Sequence, residues 1–199
     1  MLCARYNTDY ENNIAILSMD VAHQQEMIRQ AQAGNAAAFE SLLDHHYDLI
    51  YRFAYKWCGN AAAAEDVAQL VCIKLAKSLA QFRFESAFTS WLYRIVINCA
   101  KDWQKAEQRH THAADEHADV DAEPSANAPN AEHHIYLSQL LSRIDHMGEG
   151  FRETALLVHS EGFNHREAAD ILGVKESTIS WRIHEIRKRL TSEDGGQSS

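Results

Sequence analysis

The stretch GFNHREAADILGVKESTISWRIHEIRKRL (residues 162–190) decides the fold of the C-terminal part of the chain. It predicts a short helix over 165–172, a turn at Gly173 and a longer helix over 176–190. Large aliphatic residues recur along the longer helix at steps of four, three and four, the spacing of a buried stripe: Ile179, Ile183, Ile186 and Leu190. Glycine suits the tight turn. Two helices joined in this way are typical of a helix-turn-helix.

The side of the longer helix opposite the stripe carries hydroxyl, cationic and aromatic groups. They are Ser177, Trp181, His184 and Lys188, flanked by Thr178, Arg182 and Arg187. Such groups suit base edges and phosphates in a major groove. Two alternatives stay open. The face could be the solvated side of an ordinary helix pair, and Trp181 could pack sideways on a neighbouring helix.

The charge of the chain is unevenly distributed. The formal net charge is −9, from 28 acidic and 19 basic residues. Residues 107–134 hold seven acids and one arginine, whereas residues 19–106 hold nine of each sign and residues 171–190 hold five bases against two acids. Because the acidity is segregated, the net charge does not argue against nucleic-acid binding by the basic helix.

The part before residue 107 predicts four consecutive helices, over 22–33, 36–58, 61–79 and 89–106. Gly34-Asn35 and Gly59-Asn60 mark two of the boundaries. The apolar residues expected at helical spacing are Phe39, Leu42, Leu43, Leu49, Ile50, Phe53, Ala54, Val67, Leu70, Val71, Leu75, Leu79, Leu92, Ile95, Val96 and Cys99. Two further helices are expected over 135–144 and 152–159.

These patterns predict an all-α protein with two small helical domains joined by a flexible acidic linker. Residues 19–106 form the four-helix domain and 135–190 the helix-turn-helix domain. The 107–134 segment has too few apolar residues to offset the entropy of ordering and is expected to be the linker. Residues 1–18 and 191–199 are expected to be a disordered extension and tail.

Several functional classes find no support in the sequence. No apolar run approaches the roughly 18 residues of a membrane span, so we expect no membrane insertion and a cytoplasmic location. The four cysteines form no Cys-x-x-Cys pair, and the twelve histidines lack metal-ligand spacing. We therefore predict no catalytic residue, no metal site and no cofactor.

A second constellation occupies residues 82–105, FRFESAFTSWLYRIVINCAKDWQK. Six aromatic residues are interleaved with four cations. Bases stack on aromatic rings while cations follow the phosphates, so this mixture favours single-stranded nucleic acid. Individual rings at helical spacing usually belong to a core, and we expect this of Phe88 and one tryptophan. A third stretch, AEDVAQLVCIKL (64–75), is expected to place Glu65 and Asp66 in the first turn of a helix, where acids also suit the macrodipole.

Taken in chain order, the stretches 39–75, 87–103 and 155–190 resemble the extracytoplasmic-function (ECF) group of bacterial RNA polymerase sigma factors. The resemblance covers residues 22–190 and implies three surfaces. Core RNA polymerase would contact Glu65, Asp66, Gln69 and Lys74. The melted −10 promoter element would contact the 81–88 loop and the helix after it, through Arg83, Phe84, Trp91, Arg94, Asn98, Lys101, Asp102 and Lys105. The −35 element would contact Lys175, Ser177, Thr178, Trp181, Arg182 and Arg187.

The resemblance also implies promoter DNA, core polymerase and an anti-sigma factor as partners. The chain departs from the family pattern at three places. Leu70 follows Gln69 where the family often has Glu, Lys175 replaces a Ser or Thr helix cap, and Ser180 replaces a common basic residue. Two other hypotheses are a helix-turn-helix regulator with a helical sensing or dimerisation domain, and a histidine-metal hydrolase.

The first 18 residues show no clear amphipathic period, whereas the family-like pattern opens directly after Met19. We predict that a truncation beginning at Met19 binds core polymerase as tightly as the whole chain, in a co-purification or fluorescence-anisotropy titration. A truncated chain that folds but loses polymerase binding would contradict the assignment of this segment as dispensable.

Overall fold

The protein is described by a computed structural model, which covers residues 20–114 and 139–194. Within these two ranges every regular element is helical and no strand is present. The helices are α1 (Val21–Gln32), α2 (Ala36–Cys58), α3 (Ala61–Ser78), α4 (Phe88–Ala114), α5 (residues 139–145), α6 (Phe151–Ala155), α7 (His165–Leu172) and α8 (Glu176–Asp194). The predicted all-α fold class is confirmed. None of the described helices is both long and apolar enough to cross a membrane.

The two Gly-Asn pairs end one helix and begin the next. Gly59 adopts the left-handed conformation (φ 77°) and its N–H donates to the Tyr55 carbonyl at the end of α2. Glycine reaches this conformation without a steric penalty. Asn60 then accepts a hydrogen bond from the Ala63 N–H (2.8 Å) and caps α3. Asn35 caps α2 through Ala38 in the same way (3.2 Å). Local sequence alone therefore places these boundaries.

The N-terminal core lies where α2, α3 and α4 meet. Most of the predicted inward residues are buried, and the largest of them are fully enclosed: Leu42, Ile50, Phe53, Val67, Val71, Leu75, Leu92 and Val96. Leu70 was expected at an inward position, but this is wrong, since its exposure is 45%. Ala64 and Ala68 complete the buried stripe of α3 and turn it away from Leu70.

The C-terminal half contains the predicted helix-turn-helix. Helices α7 and α8 meet at Gly173 (φ 66°), and Ala169 is buried between them. Asn164 and Glu167 form a reciprocal capping box that starts α7. Three of the four stripe residues on α8, Ile179, Ile183 and Ile186, are buried, while Leu190 is half-buried.

Two helices continue beyond their predicted ends. α4 runs to Ala114 rather than to residue 106, and α8 runs to Asp194 rather than to Leu190. Residues 107–114 contain no glycine or proline that would end a helix, so α4 continues through them despite their polarity. The predictions for residues 1–18, 115–134 and 195–199 lie outside the described residues.

His46 is a buried titratable group in the N-terminal core. Its ring contacts the edge of Phe88 (centroids 5.1 Å apart), and the Gln24 amide lies 3.2 Å from its Nε2. Burial, and then the neighbouring His45, lower the pKa of His46 to about 4. The unfolded chain has an ordinary histidine pKa of about 6.5. Its proton uptake therefore begins at a higher pH than that of the folded protein.

We predict that His46 makes the free energy of unfolding fall as the pH drops from about 6.5 to 4, by about 3 kcal/mol at pH 4. Above this window the contribution is fully present, and it is lost as the unfolded chain takes up the proton. Urea titrations at several pH values, compared with His46→Leu, isolate this contribution. Parallel pH profiles for the two proteins would contradict it.

Candidate nucleic-acid interface

Four aromatic rings form the wall of a concave loop between α3 and α4. Phe82 is the centre of this cluster, with its ring centroid 4.9 Å from Phe84, 5.1 Å from Trp91 and 5.5 Å from Phe88. Phe82 and Phe88 are buried, whereas Phe84 and Trp91 are half-buried. The cluster therefore divides into two rings that hold the loop and two that retain exposed surface.

The loop encloses an open cavity of about 820 Å³. Its lining brings together three of the predicted −10 residues: Arg83, Trp91 and Arg94. Arg83 and Arg94 are exposed at the rim. The arrangement combines a flat aromatic surface with positive charge, which suits an unstacked base and its phosphate.

The backbone of this loop is held by α1, a contact that sequence reasoning missed. The Gln32 side-chain amide donates to the carbonyls of Leu79 (2.9 Å) and Phe82 (2.8 Å). The Arg29 guanidinium lies over the Phe84 ring, 5.1 Å from its centroid. Phe84 itself has φ 60°, an uncommon conformation for a residue other than glycine. Nothing in the sequence pairs Gln32 with a loop about fifty positions away.

The helix that follows the loop displays its polar residues along one side. Arg94, Asn98, Asp102 and Lys105 are exposed, and Lys101 is half-buried. We call these five residues the α4 face. Asp102 lies 3.7 Å from Lys74 of α3, so the acid on this face has a basic neighbour. Phe88 belongs to the core as expected, but Trp91 and Trp103 are both only half-buried.

The predicted polymerase-contacting residues lie on the outer side of α3. Glu65, Asp66, Gln69 and Lys74 are all exposed. The two acids lie in the second turn and not the first, because Asn60 starts the helix at Ala61. Two aliphatic residues share this side, Leu70 (45% exposed) and Ile73 (51% exposed). We call these six residues the α3 surface.

On α8 the predicted DNA-contacting residues fall into two groups. Lys175, Ser177, Trp181 and Arg187 are exposed, while Thr178 and Arg182 are half-buried. Trp181 is 54% exposed, and the edge of its indole packs against Phe151 with centroids 5.4 Å apart. Trp181 therefore faces outward, as the helical pattern predicts, and also packs sideways on a neighbouring helix, as the alternative interpretation suggested.

Arg182 is occupied by a structural contact. Its guanidinium donates to the Glu149 carbonyl (3.3 Å) and the Thr154 hydroxyl (3.4 Å). It also covers Gly150, where an added Cβ would lie 2.3 Å from the guanidinium carbon. Arg182 thus fixes α8 to the turn before α6. Its contact with DNA stays a prediction.

Within the described residues, no group of three or more His, Cys, Asp or Glu side chains is arranged to hold a metal ion. The thiols of the described cysteines have raised pKa values. Burial raises the pKa of Cys58 to about 12, although Arg152 nearby lowers it in part. Burial also raises the pKa of Cys72 and of Cys99.

Comparison with known proteins gives the family. Residues 42–110 match the Sigma-70 region 2 family. The chain is 32% identical over 158 residues to the ECF RNA polymerase sigma factor SigE of Mycolicibacterium smegmatis, covering 77% of this chain and 60% of that protein. It is 28% identical over 177 residues to the RNA polymerase sigma-H factor of Pseudomonas aeruginosa, covering 83% and 91% respectively.

Residues 42–110 thus belong to the Sigma-70 region 2 family, and the chain as a whole is similar to ECF RNA polymerase sigma factors. A solved structure has a similar fold, with a TM-score of 0.58 at 22% identity over 77% of this chain and 94% of the other. It is the sigma factor RpoE from Bartonella quintana in complex with the anti-sigma factor NepR. These similarities confirm the resemblance to ECF sigma factors and favour it over the helix-turn-helix regulator.

The sequence motifs did not indicate three residues that contribute to the candidate surfaces: Gln32, Arg29 and Phe151. Each lies outside the family-like stretches of the loop and of α8, and each acts through a tertiary contact. Ile73 of the α3 surface is different, because it falls outside the apolar stripe of α3. Because Ile73 does not fit the helical spacing of the buried residues, the sequence already indicated that its side chain would be exposed.

We predict that Trp181→Ala lowers promoter use about tenfold, equivalent to about 1.4 kcal/mol, while leaving the fold intact. The exposed indole contributes only its edge contact with Phe151, worth about 0.5–1.5 kcal/mol to stability. Circular-dichroism melting and run-off transcription measure the two effects. Trp181→Phe keeps a ring against Phe151 and is the matched variant.

Ile183→Asp is expected to unfold the C-terminal half, because Ile183 is only 2% exposed and a charge there would be buried without a partner. It provides the contrast for the Trp181 substitution in the same melting experiment. A Trp181→Ala protein that loses several kcal/mol of stability would show that the indole serves the core.

Proposed function

We propose that this chain binds core RNA polymerase, directs it to promoters and helps to open the −10 region. The observation that carries the proposal is the aromatic cavity that opens onto the cationic α4 face. Trp91 and Arg94 line this cavity together. Because the chain spans only 60% of the M. smegmatis relative, the activity of the whole protein is part of the proposal.

Opening of the −10 element is explained by preferential binding of the melted strand. Separating DNA strands costs about 1.4 kcal/mol for each base-pair step. A base stacked on an aromatic side chain recovers about 1–3 kcal/mol. Trp91 and Phe84 offer two rings with exposed surface, and Arg83 and Arg94 provide charge for the adjoining phosphates. A few stacked bases therefore offset the opening of a few steps.

Binding to the polymerase is assigned to the α3 surface. Exposed aliphatic side chains rimmed by polar groups mark protein–protein interfaces. Leu70 and Ile73 have this character, with Asp66, Gln69 and Lys74 around them. Leu70 stands where the family often has an acid, so this chain replaces an ionic contact by an apolar one.

Recognition of the −35 element is assigned to α8 in the major groove. Ser177 can hydrogen-bond a base edge, Arg187 can reach a phosphate, and Trp181 offers an apolar ring to a thymine methyl group. Arg182 supports this helix from behind through Glu149 and Thr154. Its direct contact with DNA remains part of the proposal and requires release from these partners.

An anti-sigma factor is proposed as the regulatory partner, by analogy with the complex formed by the B. quintana sigma factor. The proposed place of action is the cytoplasm, where polymerase and promoter DNA are found. No cofactor or catalytic residue takes part in this function.

The experiment is run-off transcription with core polymerase on a pooled library of promoter fragments, read by sequencing the 5′ ends of the transcripts. We expect a small set of specific start sites that require the added chain. The chain alone should bind duplex DNA weakly, with affinity falling as salt is raised. Specific and tight duplex binding by a dimer without polymerase would instead support a helix-turn-helix regulator.

Arg83→Ala is expected to reduce open-complex formation about tenfold, or about 1.4 kcal/mol, because Arg83 lies exposed at the rim of the cavity. Arg83→Lys retains the charge and is expected to keep most of the activity. Permanganate reactivity of unpaired thymines at the −10 element measures the opening. Equal reactivity with both variants and the parent chain would contradict the assignment of the loop.

A further inference from the structure

Helix α1 ends beside the aromatic loop (residues 79–87) and fixes its backbone through one side chain. The Gln32 amide donates to the Leu79 carbonyl (2.9 Å) and to the Phe82 carbonyl (2.8 Å). A primary amide nitrogen carries two N–H groups, so both of its donors are used here. The Leu79 carbonyl also accepts the Phe82 N–H (3.0 Å), which closes the turn at the start of the loop. Gln32 therefore holds both ends of this turn.

The chemistry of the two acceptors explains why this position suits an uncharged amide. Both are backbone carbonyls, which accept hydrogen bonds and cannot donate them. An ionised carboxylate in place of the amide would offer only acceptors, and a methionine thioether would offer no donor. The side chains of Leu79 and Phe82 are buried, with 3% and 6% exposure. The turn is thus anchored in the core on one side and to α1 on the other.

A second contact from α1 reaches the next part of the loop. The Arg29 guanidinium lies over the Phe84 ring, 5.1 Å from its centroid, and the Phe82 ring centroid lies 4.9 Å from the same centroid. A cation over an aromatic face is attracted to it. Phe84 has φ 60°, a conformation that a residue other than glycine keeps only where its surroundings fix it. Arg29 and Gln32 are three residues apart and so share one side of α1.

The segment that α1 holds is part of the cavity proposed to receive the melted strand. Phe82 lines this cavity together with Arg83 and Trp91, and the rings of Phe82 and Trp91 have centroids 5.1 Å apart. Gln32 and Arg29 are not among its lining residues. Helix α1 therefore shapes the cavity from outside it.

We propose that α1 keeps the aromatic loop ready for an unpaired base, with Gln32 and Arg29 as positioning residues for opening of the −10 element. This inference rests on the proposed function. A loop already in the binding arrangement loses little further conformational freedom when the base enters, so more of the binding energy is left for strand opening. Without Gln32 the loop occupies that arrangement for a smaller fraction of the time, and its apparent affinity for the base falls by the same factor.

The position of Gln32 separates strand opening from polymerase binding. Polymerase binding is assigned to the outer side of α3, where Leu70 and Ile73 are exposed. The hydrogen bonds of Gln32 go instead to the loop that follows α3. A change at Gln32 is therefore expected to weaken opening while the affinity for polymerase stays the same.

The test uses the full chain with Gln32→Met, which keeps the length of the side chain and removes both donors. The matched control is Gln30→Met on the same helix. Gln30 is exposed, and its amide donates to the exposed Glu26 carboxylate (3.1 Å). Both proteins carry the same substitution, so a general effect of methionine on α1 appears in both. Circular-dichroism melting compares their stability.

Three measurements are made with core polymerase on a promoter found by run-off transcription. Fluorescence anisotropy of the labelled chain gives the affinity for polymerase. The fluorescence of 2-aminopurine, placed at an adenine of the −10 element, rises when the base leaves the stack and gives the equilibrium constant for opening. Run-off transcription is measured from the duplex promoter and from the same promoter with its −10 element opened beforehand by mismatches.

We expect Gln32→Met to lower the equilibrium constant for opening, and initiation from the duplex, about tenfold relative to Gln30→Met. The two proteins should bind polymerase equally. Mismatched DNA should restore initiation to within about threefold, because strand separation no longer has to be offset. Opening of the duplex by Gln32→Met to the same extent as by the control would overturn the inference. A defect equally large on mismatched DNA, or a parallel loss of polymerase affinity, would overturn it too.

Arg29 provides a second pair of variants if Gln32→Met weakens the fold. Arg29 is exposed, so its replacement disturbs the core little. Arg29→Met removes the cation over Phe84 and is expected to lower duplex opening about threefold, as for an exposed contact of this kind. Arg29→Lys keeps a cation there and is expected to restore opening. Arg29→Met protein that opens the promoter as the parent chain does would overturn the role of α1.

The parent chain keeps this inference separate from the proposed function. A parent chain that supports no specific transcription would remove the proposed function itself. Specific transcription by the parent chain, combined with opening by Gln32→Met that equals the control, would remove only the positioning role of α1.

Discussion

The burial of one side of α4 is the constraint on which the other features depend. Leu92, Ile95, Val96 and Cys99 must face α2 and α3 to complete the N-terminal core. Because a helix turns by a constant angle per residue, this choice forces Arg94, Asn98 and Lys101 to the opposite side. The same helix begins at the aromatic loop, so the core also determines where the cavity opens. The burial of this one side of α4 thus determines the positions of the aromatic rings, of the cations and of the surface that the C-terminal half covers.

Charge explains how an acidic chain can serve as a nucleic-acid-binding protein. The net charge of −9 is a sum over segments of different sign, and the acidic 107–134 segment accounts for most of it. Within the described residues, acids also pair with individual donors. Glu153 forms an ion pair with Lys101, and Glu161 accepts hydrogen bonds from Lys56 and Tyr93. Lys101 and Lys56 thus have carboxylate partners within the same chain.

Arg182 and Leu70 show why a motif match does not settle the role of each residue. Arg182 lies on α8, close enough to the isoleucine stripe for its guanidinium to reach Glu149 and Thr154 of the preceding segment. Leu70 has the composition of a core residue, yet Ala64 and Ala68 fill the buried side of α3 and leave it outside. In both cases the surrounding structure determines the role of the residue. The partners of Arg182 are distant from it in the sequence, and the buried side of α3 is hard to recognise because alanines form part of it.

The sequence by itself determined the helical class, most helix boundaries and the family, because these depend on local chemistry. Gly-Asn pairs, the capping box and the isoleucine spacing act within a few residues of one another. The ends of α4 and α8 were predicted too short, since polar composition alone does not stop a helix. Only the tertiary structure decided how Gln32 holds the loop, which rings stay exposed, and which groups contact the two cations: backbone carbonyls at Arg94 and carboxylates at Lys101. Those contacts join residues dozens of positions apart, and their geometry follows from how the helices pack rather than from any local pattern.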